Sequence, residues 1–359
     1  MTVEEARAQL PALERFAYLN AGTNGPLPRA TVEAMVEQER ADLEHGRGGK
    51  AYFERALELR DEVRGKLAAV VGGSPDRIAL ATSTTNGCNI VLAGLGLGPD
   101  DEILTTDGEH FGMLGALAVS PARVRVAAVR ELPPEEALKV LLEQVTPRTR
   151  LLALSHVSWM TGNRVPVAEL KEATGLPTLV DGAQSVGAIP VDASGFDFYA
   201  VSCQKWLCGP DTTGALYVAD PEELGIAAPS YLSQERHEPS GEFEPRAGAA
   251  RFDPGWTAPP ALAGLSAALD LAPDGRFERA AETAARCREL LAGRFDVVTA
   301  PGQGTLVSFR VEGDSAELVA RLYEQGVVVR DVPGQGWIRV SCGWWTTEAD
   351  LERLMQALG

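Results

Sequence analysis

Phe196-Asp197-Phe198-Tyr199-Ala200-Val201-Ser202-Cys203-Gln204-Lys205-Trp206-Leu207-Cys208-Gly209-Pro210 decides how this chain is read. An apolar run of strand length ends in a turn of small and polar residues, and one lysine stands in that turn although the chain uses lysine sparingly. Upstream, Pro177-Thr178-Leu179-Val180-Asp181-Gly182-Ala183-Gln184-Ser185 repeats the pattern with an aspartate at the strand end. Farther out, strands at 101–106, 124–129 and 150–158 alternate with helices at 134–144 and 167–174, and a strand from 77 precedes a helix that closes at 94–98. The run 150–158 is nearly continuous in apolar residues, as in a parallel strand covered on both faces. This alternation predicts an α/β sheet whose polar turns gather at the carboxyl ends of the strands, where open sheets of this class bind ligands. Thr84, His110, Ser158, Asp181 and Lys205 all fall at such ends.

The chemistry follows from that convergence. A carboxylate that keeps a pyridine nitrogen protonated and a lysine that forms a Schiff base are what a pyridoxal 5'-phosphate (PLP) site needs. Thr82-Ser83-Thr84-Thr85 opens a helix with four consecutive hydroxyls. An ordinary N-cap uses one such residue, and the surplus suits a phosphate at the helix N-terminus. His110 could stack a flat ring on a planar cofactor, although a lone histidine is more often structural. Gly94-Leu95-Gly96-Leu97-Gly98 closes a helix, so it is no dinucleotide loop.

The remaining segments bound the answer. With 359 residues and 45% apolar content, the chain is long enough for two domains. Residues 1–15 read as one short helix, 18–28 as a Gly/Pro/Asn-rich loop fit for close backbone approach, and 31–40 and 51–71 as charged-faced helices. Residues 226–250 read as an irregular loop. Helices near 259–271, 277–295, 315–325 and 347–358, with strands at 305–311, 327–330 and 337–341, suggest a smaller α+β domain. A net charge of −17 excludes a general nucleic-acid or anionic-membrane surface. No apolar run has the length of a spanning helix, and the acidic N-terminus is unlike a signal peptide. Five scattered cysteines form no disulfide framework, and four histidines show no metal-ligand spacing. A cytoplasmic enzyme with no metal is the expectation.

The segments around Asp181 and Lys205 resemble the class V aminotransferases, a family of fold-type I PLP enzymes that includes cysteine desulfurases and isopenicillin N epimerase-like proteins. The resemblance runs from Tyr18 to the last helix. It implies an N-terminal segment (1–17) packed on the small domain, a large PLP-binding domain (18–258) and a small C-terminal domain (259–359). It also implies Lys205 as the Schiff-base residue and proton shuttle, Asp181 on the pyridinium and Gln184 on the phenolic oxygen. Thr84, Thr85, Ser202 and Gln204 would hold the phosphate, His110 would stack on the ring, and Ser158 belongs to the same cofactor set. Thr257 is similar to the residue that reaches a neighbouring subunit's phosphate, which implies a homodimer with shared active sites. Asn20, Gly22 and Arg339 would meet the substrate, with Arg339 clamping a carboxylate. The chain departs from the pattern in carrying Gln204 where many relatives have His, and Trp159 where they have Asn.

Cysteine desulfurases carry a sulfur-accepting cysteine in the region of Asp331-Val332-Pro333-Gly334-Gln335-Gly336-Trp337-Ile338, and here that loop has none. Cys203, Cys208 and Cys342 read as packing residues, which argues against a persulfide relay. The stretch Asn20-Ala21-Gly22-Thr23-Asn24-Gly25-Pro26 and the cysteine-free loop resemble lyase and epimerase members. They favour a C–S lyase acting on a small amino acid by β-elimination. An aminotransferase, an amino-acid epimerase and a non-catalytic PLP-binding protein are the alternatives.

Overall fold

The computed structural model describes residues 1–359. Helices α1 (Val3–Ala8) and α2 (Ala12–Arg15) open the chain in place of the single helix expected over 1–15. Pro11, which has no N–H to donate, separates them and stands at the N-cap of α2. Then come β1 (Ala17–Tyr18), α3 (Arg29–His45), α4 (Lys50–Val71), β2 (Ile78–Ala81), α5 (Thr84–Gly94), β3 (Glu102–Thr106) and α6 (Phe111–Ala118). These are followed by β4 (Arg123–Ala127), α7 (Pro134–Gln144), β5 (Thr149–Ser155), α8 (Val167–Thr174), β6 (Thr178–Asp181), β7 (Phe198–Ser202) and β8 (Gly214–Val218).

Seven strands form one sheet in the order β2-β8-β7-β6-β5-β3-β4. Its ladders are parallel except where β8 lies antiparallel between β2 and β7. The strands read as unbroken apolar runs because both faces are covered. Leu152 and Leu154 of β5, with Tyr199 and Val201 of β7, face the core under α4, α7 and α8. Leu151, Ala153, Phe198 and Ala200 face the opposite core under α5 and α6. Chain order reverses between β3 and β5, the kind of crevice where such sheets take ligands.

The stretch 226–250, read as irregular, holds a hairpin of β9 (Gln234–His237) on β10 (Phe243–Pro245). Its residues are mostly exposed and charged, and Arg236 pairs with Glu244 across the strands. With no apolar face to bury, it carries no period-two hydrophobic signal. Next are α9 (Pro259–Asp270), α10 (Arg276–Ala292), β11 (Leu306–Arg310), α11 (Ser315–Glu324), β12 (Val327–Val328), β13 (Arg330–Val332), β14 (Trp337–Ser341) and α12 (Glu348–Ala357). β11, β14 and β13 form an antiparallel sheet, and β1 pairs in parallel with β12, which ties the N-terminal segment to it. Ala17 and Leu19 share the core of this layer with α10 and α12. Because α9 packs on α3 and α4, we propose that the large domain runs to Asp270, past the boundary at 258 that the resemblance implies.

A buried charge cluster fixes the segment ahead of α9. Asp253, 2% exposed, accepts from Arg60 Nη2 at 2.8 Å, Arg64 Nη2 at 2.7 Å and the Leu80 N–H at 2.8 Å. Removing the carboxylate would strand two buried guanidiniums. Asp253→Ala is therefore expected to lower the unfolding free energy by about 3–5 kcal/mol, as read from urea denaturation.

Candidate active site

The carboxyl ends of the large sheet and the β13–β14 strands border an open cleft of about 210 Å³. It is lined by Gly22, Thr23, Ser83, Thr84, Thr85, His110, Trp159, Gln184, Ser202, Gln204, Lys205, Arg330 and Arg339. One end is a hydroxyl cradle. Ser83 caps α5 by accepting from Asn86 N at 3.1 Å, and the Thr84 N–H reaches Ser202 Oγ at 3.3 Å, joining the helix start to the end of β7. Thr84 is thus tied to Ser202, while the N–H and hydroxyl of Thr85 have no protein partner and can face an anion at the helix N-terminus.

Behind the cleft, Asp181 is buried at the end of β6, where its Oδ1 accepts from Ala183 N at 2.8 Å. Burial raises its carboxyl above the ordinary value, while Lys205 and the Ala183 N–H pull it down. Burial pushes the Lys205 ammonium down to about 8; Asp181 opposes that, and Arg339 and Arg330 add to it. Gln184 donates to Gly22 O at 2.8 Å and accepts from Trp206 Nε1 at 3.0 Å, which leaves one amide N–H uncommitted. Gln204 has a buried side-chain oxygen with no partner.

His110 is the N-cap of α6. Its Nδ1 accepts from Gly112 N at 3.1 Å, so the proton of the neutral ring sits on Nε2. Burial, with Lys205, Arg330 and Arg339 nearby, lowers its pKa to about 4 and keeps the ring uncharged at neutral pH. Trp159 meets it edge-on, with centroids 5.2 Å apart at 88°.

Arg339 is 1% exposed, yet no carboxylate pairs with it. Its Nη1 donates to Trp159 O at 2.9 Å, its Nη2 to Thr23 Oγ1 at 3.2 Å, and its Nε has no partner. Burial and the Arg330 charge push its pKa down to about 9, so it stays charged at neutral pH. Arg330 is its cross-strand partner in the β13–β14 ladder; it also donates to Thr23 Oγ1, at 3.3 Å, and lies over the Trp159 ring at 5.7 Å. Gly22 makes room for this pair, since a Cβ there would sit 2.8 Å from Arg339 Nη2.

Of the residues singled out from sequence, Lys205, Thr84, Thr85, His110, Gln184, Ser202, Gln204, Gly22 and Arg339 line one cleft, with Asp181 directly behind it. Three do not line it. Ser158 Oγ accepts from Met160 N and Thr161 N, each at 3.3 Å, so it holds a turn. Asn20 Oδ1 accepts from Thr23 Oγ1 at 2.9 Å, and Thr23 is the one that faces the cleft. Thr257 lies outside this cleft, next to Trp256, which is 43% exposed. Arg330, Thr23, Ser83 and Trp159 are lining residues that sequence reasoning did not select. The signal for Arg330 was its mirror position to Arg339 across the turn at 333–336. Cys203, Cys208 and Cys342 are buried free thiols. Burial pushes the Cys203 thiol to about 12 and Cys208 higher still, while a hydrogen bond with Cys287 and burial drive Cys342 up. None of the three lines the cleft as a thiolate nucleophile would.

An anion cradle at a helix start, a lysine with a lowered pKa facing a buried carboxylate, and a neutral ring beside them define a PLP-dependent enzyme. The family described as aminotransferase class-V matches residues 17–354, and the chain belongs to it. Over an alignment of 399 positions that covers 99% of this chain and 97% of the other, it is 33% identical to isopenicillin N epimerase of Streptomyces clavuligerus. It is 34% identical over 391 aligned positions, covering 98% and 96% of the two chains, to a probable cysteine desulfurase of Pseudomonas aeruginosa. Among solved structures it is similar to the cystine C–S lyase C-DES in complex with its reaction product cysteine persulfide, with TM-score 0.90, 30% identity and 98% and 99% of the two chains covered. A C-DES variant with glycine covalently linked to its PLP cofactor gives TM-score 0.91 at 30% identity, covering 98% of each chain.

Reconstituted with PLP, the protein is expected to show the visible absorption of a lysine-bound cofactor. Lys205→Ala should lose that band completely while keeping the fold, as checked by circular dichroism.

Proposed function

We propose that this enzyme is a C–S lyase that breaks the bond between the β-carbon and sulfur of an amino acid carrying a carboxylate at each end, cystine being the simplest example. The observation that carries this reading is the pair of guanidiniums, Arg339 and Arg330, which face one cleft from opposite strands with no protein carboxylate on either. A buried unpaired cation is costly unless a ligand completes it. Arg339, held by Trp159 O and Thr23 Oγ1, takes the α-carboxylate and fixes which bond stands over the ring. Arg330, nearer the opening, takes the distal one.

When bound, the cofactor supplies an electron sink for the negative charge that develops at the α-carbon. Asp181 would hold the proton of its ring nitrogen, the hydroxyl cradle would hold its phosphate, and His110 would pack against the ring. Lys205, its pKa near 8, takes the α-proton and returns a proton to the departing sulfur. With cystine, the β-carbon–sulfur bond breaks with its electron pair on sulfur. One water is consumed, and pyruvate, ammonia and cysteine persulfide leave. His110 is neutral near pH 7 and its basic Nδ1 is occupied by the Gly112 N–H, so it offers neither an imidazolium acid nor a free base, which argues against its serving as the second base of an epimerisation. The absence of a lining cysteine supports release of the sulfur product without a protein relay.

Exposed Phe53 and Trp256, in contact with Tyr52 beside Thr257, support a homodimer in which Thr257 reaches the neighbouring cradle. No helix is long and apolar enough to cross a membrane, and five unpaired cysteines support a reducing, cytoplasmic setting.

Holoenzyme given cystine should yield pyruvate and a persulfide; amino transfer to a keto acid without pyruvate would overturn the lyase reading. Arg339→Ala is expected to raise KM by about 10- to 150-fold for every substrate, the span of a lost charge-assisted hydrogen bond. Arg330→Ala should do so for cystine but leave KM for S-methylcysteine, which lacks the second carboxylate, within about twofold.

A further inference from the structure

Behind the Asp181 turn lies a second buried carboxyl group with no cation beside it. Glu109 is 3% exposed and belongs to no ion pair. Its Oε1 accepts from Thr106 Oγ1 at 2.7 Å, and its Oε2 accepts from the Ser155 N–H at 3.0 Å and from Ser155 Oγ. These bonds gather the ends of two neighbouring strands, β3 and β5, onto one side chain. They lead directly to the site. Ser155 is the register partner of Asp181, and the next residue's amide, His156 N, donates to Asp181 O at 3.0 Å. On the other side Glu109 immediately precedes His110. Burial pushes up the thiol of Cys88 of α5, and the negative charges of Asp181 and Glu109 add to it. A carboxylate is costly to bury without a cation, and packing alone would be served by an apolar residue.

We propose that Glu109 is a positioning residue for the cofactor: it anchors the His110 turn to the end of β5, and its negative charge behind Asp181 strengthens the hold of Asp181 on the ring-nitrogen proton. The proposal rests on the reading of Asp181 as the partner of that nitrogen. The charged and titratable groups around Glu109 are Asp181 from β6, Cys88 from α5 and His110 on its own turn; of these, Cys88 and His110 are neutral near pH 7. Burial pushes Glu109 up to about 7, hydrogen bonds from Ser155 and Thr106 oppose that, and Asp181 adds to it. Glu109 thus gains its charge as the pH rises through neutrality. A negative charge favours a nearby cation, so ionised Glu109 keeps the ring nitrogen protonated to higher pH.

The test is a 15N NMR titration of enzyme loaded with ring-15N-labelled PLP, run beside the affinity for PLP. In Glu109→Gln, the apparent pKa of the ring nitrogen is expected to fall by about one pH unit, and the dissociation constant for PLP to rise several-fold. The thermal midpoint of the apoprotein, a readout of packing alone, reports whether the variant folds. If it does not, Thr106→Val removes one donor, drives the Glu109 pKa up and shifts the same titration by a smaller step in the same direction. Superimposable titrations and equal PLP affinity in wild type and variant would overturn the role of Glu109. An unprotonated ring nitrogen in the wild type at pH 7 would instead overturn the reading of Asp181, and the Glu109 proposal with it.

Discussion

A guanidinium sealed from water without an anion is the constraint on which this site turns. Arg339 stands on the central strand of the small sheet with Arg330 opposite it, and the large domain brings Lys205 to the same cleft. No carboxylate lines the cleft, and two buried ones, Asp181 and Glu109, stand at strand ends beneath it. The cleft is therefore cationic at the front and anionic at the back. That polarity matches a ligand with phosphate and carboxylates outward and a protonated ring nitrogen inward. In a low-dielectric pocket such a gradient orients a ligand more strongly than any single contact would in water.

The two halves of this field come from different layers, and residues 19–25 stitch them together. Leu19 O accepts from Ser341 N, and Gly22 N donates to Ser341 Oγ on β14. Toward the large domain, Gly22 O accepts from Gln184, and Gly25 N donates to Gln204 O at 2.8 Å, one residue before the lysine. Gly25 has no substitute there, because a Cβ would sit 2.1 Å from Lys205 O. The strap explains how a lysine and an arginine far apart in sequence keep a fixed separation. Thr23 completes it by accepting from both arginines.

Those facts also explain what could be read from sequence and what could not. Asp181, Lys205, His110 and the hydroxyl run were legible because each terminates its own strand, and strand ends share one edge of a parallel sheet. Thr23 and Trp159 were not, because their place depends on a strap and on packing between layers, which leave no local pattern; Arg330 left only its mirror position to Arg339 across the turn at 333–336, which has meaning once the two strands are known to pair. Ser158 stood at a strand end as well, but its hydroxyl is spent on a turn. Position along the edge was therefore necessary for a site residue but not sufficient. The hairpin at 234–245 escaped for another reason: a two-stranded ribbon with exposed charged faces has no apolar period to read.

Chemistry is narrowed as much by what the fold neutralises as by what it charges. The thiols near the lysine turn are held protonated by burial. The His110 imidazole in the cleft is neutral and its Nδ1 is occupied. Among the lining residues, Lys205 alone has a pKa near the working range of a general acid and base. A single proton carrier on one face suits reactions in which a proton leaves carbon and a leaving group departs. On the proposed reading, the outcome would then depend on how the two arginines orient the substrate in the cleft. Reaction choice would, on that reading, be a matter of substrate placement, set by the spacing of the two cations on neighbouring strands.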